Sequence, residues 1–118
     1  MAYFQELWST VSSLLPIVGS LLLVHLRITA ISVAIAVAIA VPLGALVRAA
    51  RPLATPILGV FSVIYTIPSL ATVVLLVPFL GLSAKSIIAA TVLYAQAILI
   101  RNLITGLDAI DPAIIEAA

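Results

Sequence analysis

Charge all but disappears from three stretches of this chain, and these gaps limit its fold more than any other feature. No Asp, Glu, Lys or Arg occurs from Thr29 to Val47 or from Pro52 to Ala84, and from Ser86 to Leu107 the only one is Arg101. A helix needs roughly 20 mostly apolar residues to cross a bilayer, so each gap has room for one. A soluble domain is excluded by composition: 65% of the residues are hydrophobic and 8% charged, and water-soluble folds cannot hide that much apolar surface. The net charge of +1 gives no footprint for nucleic acid, and without cysteine there is no disulfide, thiolate metal site or cysteine nucleophile. The fold class is therefore an all-α integral membrane protein with three transmembrane helices, at Arg27 to Val47, Pro56 to Leu80 and Ala84 to Gly106.

Residues 1–20 form a separate amphipathic, interfacial segment. Phe4, Leu7, Trp8, Val11, Leu14 and Leu15 share one helical face, while Gln5, Glu6, Ser9, Thr10, Ser12 and Ser13 lie elsewhere. Trp8 and Tyr3 suit the headgroup zone, and Pro16 is expected to end this helix. A cleaved signal peptide fits less well, because Glu6 precedes the apolar run and no Lys or Arg does. Ile17 to Leu26 leads into the first span, with His25 at the interface and Arg27 snorkelling toward the surface. Within that span Ala30 to Val41 alternates small and β-branched residues like a strand, but a lone strand in lipid leaves its backbone unsatisfied and a helix does not. As a helix, Ser32, Ala36, Ala40 and Gly44 make one column of small residues, and Ala30, Ala34 and Ala38 make another on the far side. Such columns let neighbouring helices approach closely.

Arg48 and Arg51 follow the first span directly. The positive-inside tendency puts this connection in the cytoplasm, the N-terminus and the Gly81 to Lys85 loop outside, and the chain beyond Arg101 inside. The second span starts with Thr55 as cap and Pro56 at the first helical position, and runs about 37 Å to Leu80 at 1.5 Å per residue. Pro68 interrupts it by removing one hydrogen bond and freeing the Ile64 carbonyl. Beside this break, Thr66, Ser69 and Thr72 either bond back to freed carbonyls or line a solute path, as in discontinuous transporter helices. Ser83 caps the third span, which holds Tyr94 and Gln96 near its middle and Arg101 and Asn102 before its inner end. Arg101 either snorkels or serves function. Tyr65 and Tyr94 carry faces that attract quaternary ammonium groups, though aromatic side chains in membrane helices are more often anchors.

At the C-terminal end the apolar sequence turns into one that can live in water. Gly106 can take the left-handed conformation that closes a helix, and Asp111 followed by Pro112 is a cap and first position for a new one. These features, Arg101-Asn102, Thr105-Gly106-Leu107 and Ile110-Asp111-Pro112-Ala113-Ile114-Ile115-Glu116-Ala117-Ala118, with Thr66-Ile67-Pro68-Ser69-Leu70-Ala71 and Val41-Pro42-Leu43-Gly44, resemble the permease subunit of a bacterial binding-protein-dependent ABC importer. Within that group the chain is most similar to the osmoprotectant branch, for glycine betaine, carnitine or choline. The resemblance covers Leu21 to the end and implies the N-terminal half of a type I importer fold, a transmembrane domain over residues 21–118 that is incomplete at its C-terminus. It implies a cytoplasmic coupling segment at residues 108–118, in which Asp111, Pro112, Glu116, Ala117 and Ala118 dock onto a separate ABC ATPase subunit. It also implies an extracytoplasmic solute-binding protein, a second permease subunit forming a homo- or heterodimer, and Thr66, Pro68, Ser69, Arg101 and Asn102 near the translocation pathway. Location in the bacterial cytoplasmic membrane follows from the same resemblance.

The residues themselves suit such docking. Ile114 and Ile115 give an apolar side, Ala117 and Ala118 allow close approach, and Glu116 offers charge to a basic partner. Catalysis by this chain is not expected: Gly81-Leu82-Ser83-Ala84-Lys85-Ser86 lacks the second glycine of a phosphate loop, and no nucleophile with a base, no metal set and no cofactor motif is present. Two other functions remain open, a helical membrane adaptor that transports nothing and a permease for another small solute such as an amino acid. Neither requires an osmoprotectant.

Overall fold

The computed structural model of the chain describes residues 1–110, and all the regular structure among them is helical. Helix α1 spans Ala2–Ala49, a 3-10 turn covers Arg51–Leu53, and α2 (Ala54–Thr66), α3 (Ser69–Leu80) and α4 (Ala84–Asp108) follow. Of these, α1 and α4 are each long and apolar enough to cross a membrane, and α2 with α3 passes the same test as a bent pair.

The packing centres on α4, which touches each of the other three helices. Its main partner is α1, and the two run parallel in a fixed register. The Gln96 amide reaches the Ala36 carbonyl, Leu103 lies against Gly44, and Asp108 meets Arg48, so the partners stay close to 60 positions apart. The contact stripe on α1 is Ser32, Ala36, Ala40, Gly44 and Val47, all buried. The first four form the column that the spacing predicts, while Ala30, Ala34 and Ala38 lie exposed on the other side. Parallel packing sends α1 and α4 out at the same end, so the chain between them must travel back. Helix α2 packs against the C-terminal part of α4, with Ser62 and Tyr65 beside Ala97 and Arg101, and α3 follows toward the other end, with Val73 beside Ile87. The 13 residues of α2 and 12 of α3 reach roughly 20 and 18 Å, each short of the ~30 Å apolar core of a bilayer.

Three expected boundaries differ from the structure. The first is Pro16, where α1 does not end. It runs through both Pro16 and Pro42, and no separate interfacial helix precedes it. A proline removes one intrahelical bond, whereas ending the helix there would strip several backbone groups of partners in an apolar setting. Gly106 likewise does not close α4, which continues to Asp108; the only glycine with positive φ among the described residues is Gly81 (φ 76°). Asp108 is drawn into ion pairs with Arg48 and Arg51, which engage the added turn. The third is the start of α2, at Ala54 rather than Pro56, because the 3-10 turn leads straight into it. Ser83 does cap α4, its hydroxyl accepting from the Lys85 N–H at 3.3 Å. Residues Ala2 to Leu26 are exposed along all faces of α1 and project beyond the packed helices.

Gly44 permits the closest approach in this packing, since a Cβ there would run into the Leu103 side chain. Gly44→Leu should cost about 1–3 kcal/mol by overpacking, and Leu103→Ala in the same chain should restore part of it. Reversible unfolding in detergent micelles measures both. Additive losses in the double variant would mean that the two positions do not meet.

Candidate functional site

The chain contains two kinds of proline. Pro16 and Pro42 sit within α1 and Pro78 within α3 without ending either helix, but Pro68 separates α2 from α3 and the two axes meet at 99°. The backbone at Ile67 is extended (φ −72°, ψ 131°), and its N–H reaches back to the Ile64 carbonyl at 3.1 Å. That bond supplies the carbonyl that Pro68 cannot serve. The Ile67 carbonyl, turned out of the helix, receives the Tyr94 hydroxyl from α4. Since a phenol has one proton to give, the Thr72 hydroxyl 3.1 Å away donates to the Tyr94 oxygen. Tyr94 therefore ties both sides of the break to the central helix. Its ring also packs on Tyr65, with centroids 5.8 Å apart and planes tilted by 59°.

The polar residues predicted around the break part company. Thr66 bonds back to the Val63 carbonyl at 2.7 Å, as a Thr in a helix commonly does, and is not aimed at the freed Ile64 carbonyl. Thr72 is buried against Tyr94 and does not bond back. Ser69 lines a cavity of about 390 Å³ with Val73, Ile87, Thr91 and Tyr94. Arg101 and Asn102 line a different cavity, of about 370 Å³, with Ser62, Tyr65, Ala97 and Ile98. The five predicted pathway residues Thr66, Pro68, Ser69, Arg101 and Asn102 thus fall in three places: at the break, in the Ser69 cavity and in the Arg101 cavity. The coupling residues Asp111, Pro112, Glu116, Ala117 and Ala118 lie outside the described residues.

Sequence reasoning missed the pairings. Tyr94 and Gln96 stood out as polar groups inside a span, a signal that a polar side chain in an apolar helix has a partner, but the partner was not readable. Gln96 is 1% exposed and donates to the Ala36 and Val92 carbonyls, both at 3.2 Å. Asp108, for which the sequence suggested no partner, accepts from Arg51 at 3.2 Å and pairs with Arg48 at 3.6 Å. Among the described residues no group of three or more His, Cys, Asp or Glu is placed to hold a metal ion.

Long apolar helices packed in this register, with a chain that retraces its own length between them, define a helical multi-pass membrane protein. Its relatives are permeases. The chain is 37% identical over 104 residues to the osmoprotectant import permease protein OsmW of Salmonella typhimurium, a match covering 84% of this chain and 48% of that protein. It is 37% identical to the carnitine transport permease protein OpuCB of Listeria monocytogenes and 32% identical to the choline transport system permease protein OpuBB of Bacillus subtilis. Each of those two matches covers 79% of this chain and 43% of the relative. The chain therefore spans about half the length of the curated relatives it matches. No family model and no solved structure matches it. The homology to osmoprotectant, carnitine and choline permeases agrees with the resemblance drawn from its residues.

Tyr94 is the joint whose loss should be felt most. Tyr94→Phe removes the one side-chain donor that reaches the Ile67 carbonyl among the described residues, and should cost about 1–3 kcal/mol. Thr72→Val removes only the outer bond and should cost less. Unfolding midpoints in detergent test the order, and equal losses for the two variants would show that the tyrosine hydroxyl does not hold the break.

Proposed function

We propose that the chain acts as a transmembrane permease subunit of an ATP-driven importer that carries a small osmoprotectant such as glycine betaine, carnitine or choline across a bacterial cytoplasmic membrane. The observation that carries this reading is its similarity, along most of its length, to proteins named as osmoprotectant, carnitine and choline permeases. Parallel packing of α1 and α4 supports counting the bent α2–α3 pair as one crossing, which makes three spans. In that register Arg27 stands near the level of Lys85, and Arg48 stands level with Asp108. Between these levels lie about twenty residues of helix, or roughly 30 Å, the thickness of a hydrocarbon core.

The end bearing Arg48 and Arg51 is the cytoplasmic one in this reading, by the positive-inside tendency. The N-terminus is then outside, and residues 1–20 serve as the interfacial segment although they are continuous with α1. Residues 21–118 make up the transmembrane domain. The chain leaves α4 on the cytoplasmic side, where residues 108–118, with Asp111, Pro112, Glu116, Ala117 and Ala118, act as the coupling segment. Their partner is a separate ABC ATPase chain, which hydrolyses the ATP. An extracytoplasmic solute-binding protein delivers the solute, and a second permease subunit completes the pathway. Thr66, Pro68, Ser69, Arg101 and Asn102 line that pathway, because irregular backbone and polar groups at membrane depth persist where they border protein or a water-filled space.

Charge reversal at the coupling segment tests the reading. In cells expressing the complete importer, Glu116→Lys should reduce uptake of labelled glycine betaine at least about tenfold, as expected when a charge pair at a docking surface is replaced by repulsion. The ATPase should also no longer copurify with the permease. Unchanged uptake and unchanged association would remove the coupling role.

A further inference from the structure

The cavity between α2 and α4 holds Arg101, the one charged side chain on α4 between Lys85 and Asp108, and among the described residues it has no counterion. Both ion pairs among the described residues converge on Asp108, and neither includes Arg101. Arg101 stands two helical turns inside Asp108, roughly 10 Å along the axis. A guanidinium at such depth is costly in lipid and is stabilised by a protein cavity or a bound anion. Its planar fork suits a carboxylate, which it can hold through two parallel bonds. Asn102 and Ser62 add an amide and a hydroxyl to the same wall. Tyr65 lines the same cavity from α2, and its ring packs on Tyr94. The face of an aromatic ring attracts a quaternary ammonium group, and Ala97 and Ile98 offer apolar surface to its methyl groups.

The signs of these groups narrow the ligand. A bare cation would gain the ring but meet the Arg101 charge in a medium that screens it poorly. A simple anion would satisfy Arg101 and leave the aromatic wall unused. A small molecule with both groups places its carboxylate between its own ammonium and the guanidinium, which turns the repulsion into an alternating series of charges. We propose that this cavity is a selective site for a small zwitterion of the trimethylammonium carboxylate class, with the carboxylate on Arg101 and the ammonium on Tyr65, and that it discriminates against choline, which has no carboxylate. The proposal rests on the transport reading for its choice of solute, and its test is independent of transport.

The chain has no cysteine, so Ser62→Cys gives a single thiol inside the cavity. In the full chain, placed in nanodiscs of phosphatidylglycerol, its labelling by a maleimide should slow roughly tenfold when glycine betaine is present at about ten times its dissociation constant. Choline at the same concentration should leave the rate unchanged. Adding Arg101→Gln should abolish the protection, and Arg101→Lys, which keeps the charge and controls for misfolding, should retain part of it. The proposal is overturned by equal protection from both solutes, by protection that survives Arg101→Gln, or by no protection at all. A zwitterionic phospholipid headgroup, with a phosphate in place of the carboxylate, is the other source of a paired anion and ammonium. If phosphatidylethanolamine nanodiscs slow labelling by themselves and added solute has no further effect, the site belongs to lipid and the proposal also fails. Uptake by the complete importer is scored separately: protection without uptake keeps the site and removes the transport reading, and uptake without protection does the reverse.

Discussion

Close parallel packing of α1 on α4 is the constraint from which the remaining structure follows. Between two helices in lipid there is no hydrophobic driving force, because the tails are as apolar as the side chains, so association depends on how closely the backbones approach. The column Ser32, Ala36, Ala40 and Gly44 provides that approach. Gln96 adds a bond to the Ala36 carbonyl, but interhelical hydrogen bonds in membranes average about 0.6 kcal/mol. Its larger contribution is to register, since a slip by one residue would bury the amide against apolar surface without that acceptor. At the shared end, Asp108 sits between Arg48 and Arg51 with about a third of its side chain exposed, where pairs of this kind are worth at most about 1 kcal/mol each. Packing decides the geometry and the polar contacts select one version of it.

Because α1 and α4 are parallel, the segment joining them has to cover the same distance in reverse. Neither α2 nor α3 is long enough to do this alone, and the break between them falls at Pro68. The same residue type is carried without interruption at Pro16, Pro42 and Pro78. What sets Pro68 apart is a neighbour: the Tyr94 hydroxyl takes up the Ile67 carbonyl that the break exposes, and Thr72 supports that hydroxyl. A proline weakens a helix locally, but the helix parts only where another group can take over the freed backbone. Tyr65, at the end of α2 just before the break, packs on Tyr94 and lines the cavity that holds Arg101, so the residue that holds the break also positions part of the polar surface beside it.

Much of this could be read from the residues, and the parts that could not share one cause. Charge-free gaps and the four-residue spacing of Ser32, Ala36, Ala40 and Gly44 are properties of a single helix, and both were legible. So was the Ser83 cap. The continuation of α1 through Pro16 was not, because a proline looks the same in sequence whether or not something nearby stabilises a break. The pairing of Tyr94 with Ile67, 27 positions earlier, and of Arg51 with Asp108, 57 positions later, depends on how helices come together. Local periodicity carries no record of it. For the same reason the expected pathway residues were grouped as one set, whereas the structure puts them at the break and in two separate cavities, and Ser62 was not singled out at all.

The central claim is that α2 and α3 together make a single crossing, so that both ends of the α1–α4 pair leave on one face. Single cysteines at Ala50, Ser83 and Ala109, labelled in sealed vesicles by a reagent that cannot permeate the membrane, test it directly. The account predicts that Ala50→Cys and Ala109→Cys react from the same side and Ser83→Cys only from the opposite one. Labelling of Ala50→Cys and Ser83→Cys from one side, with Ala109→Cys on the other, would contradict it, because α2 and α3 would then dip into the membrane and return without crossing.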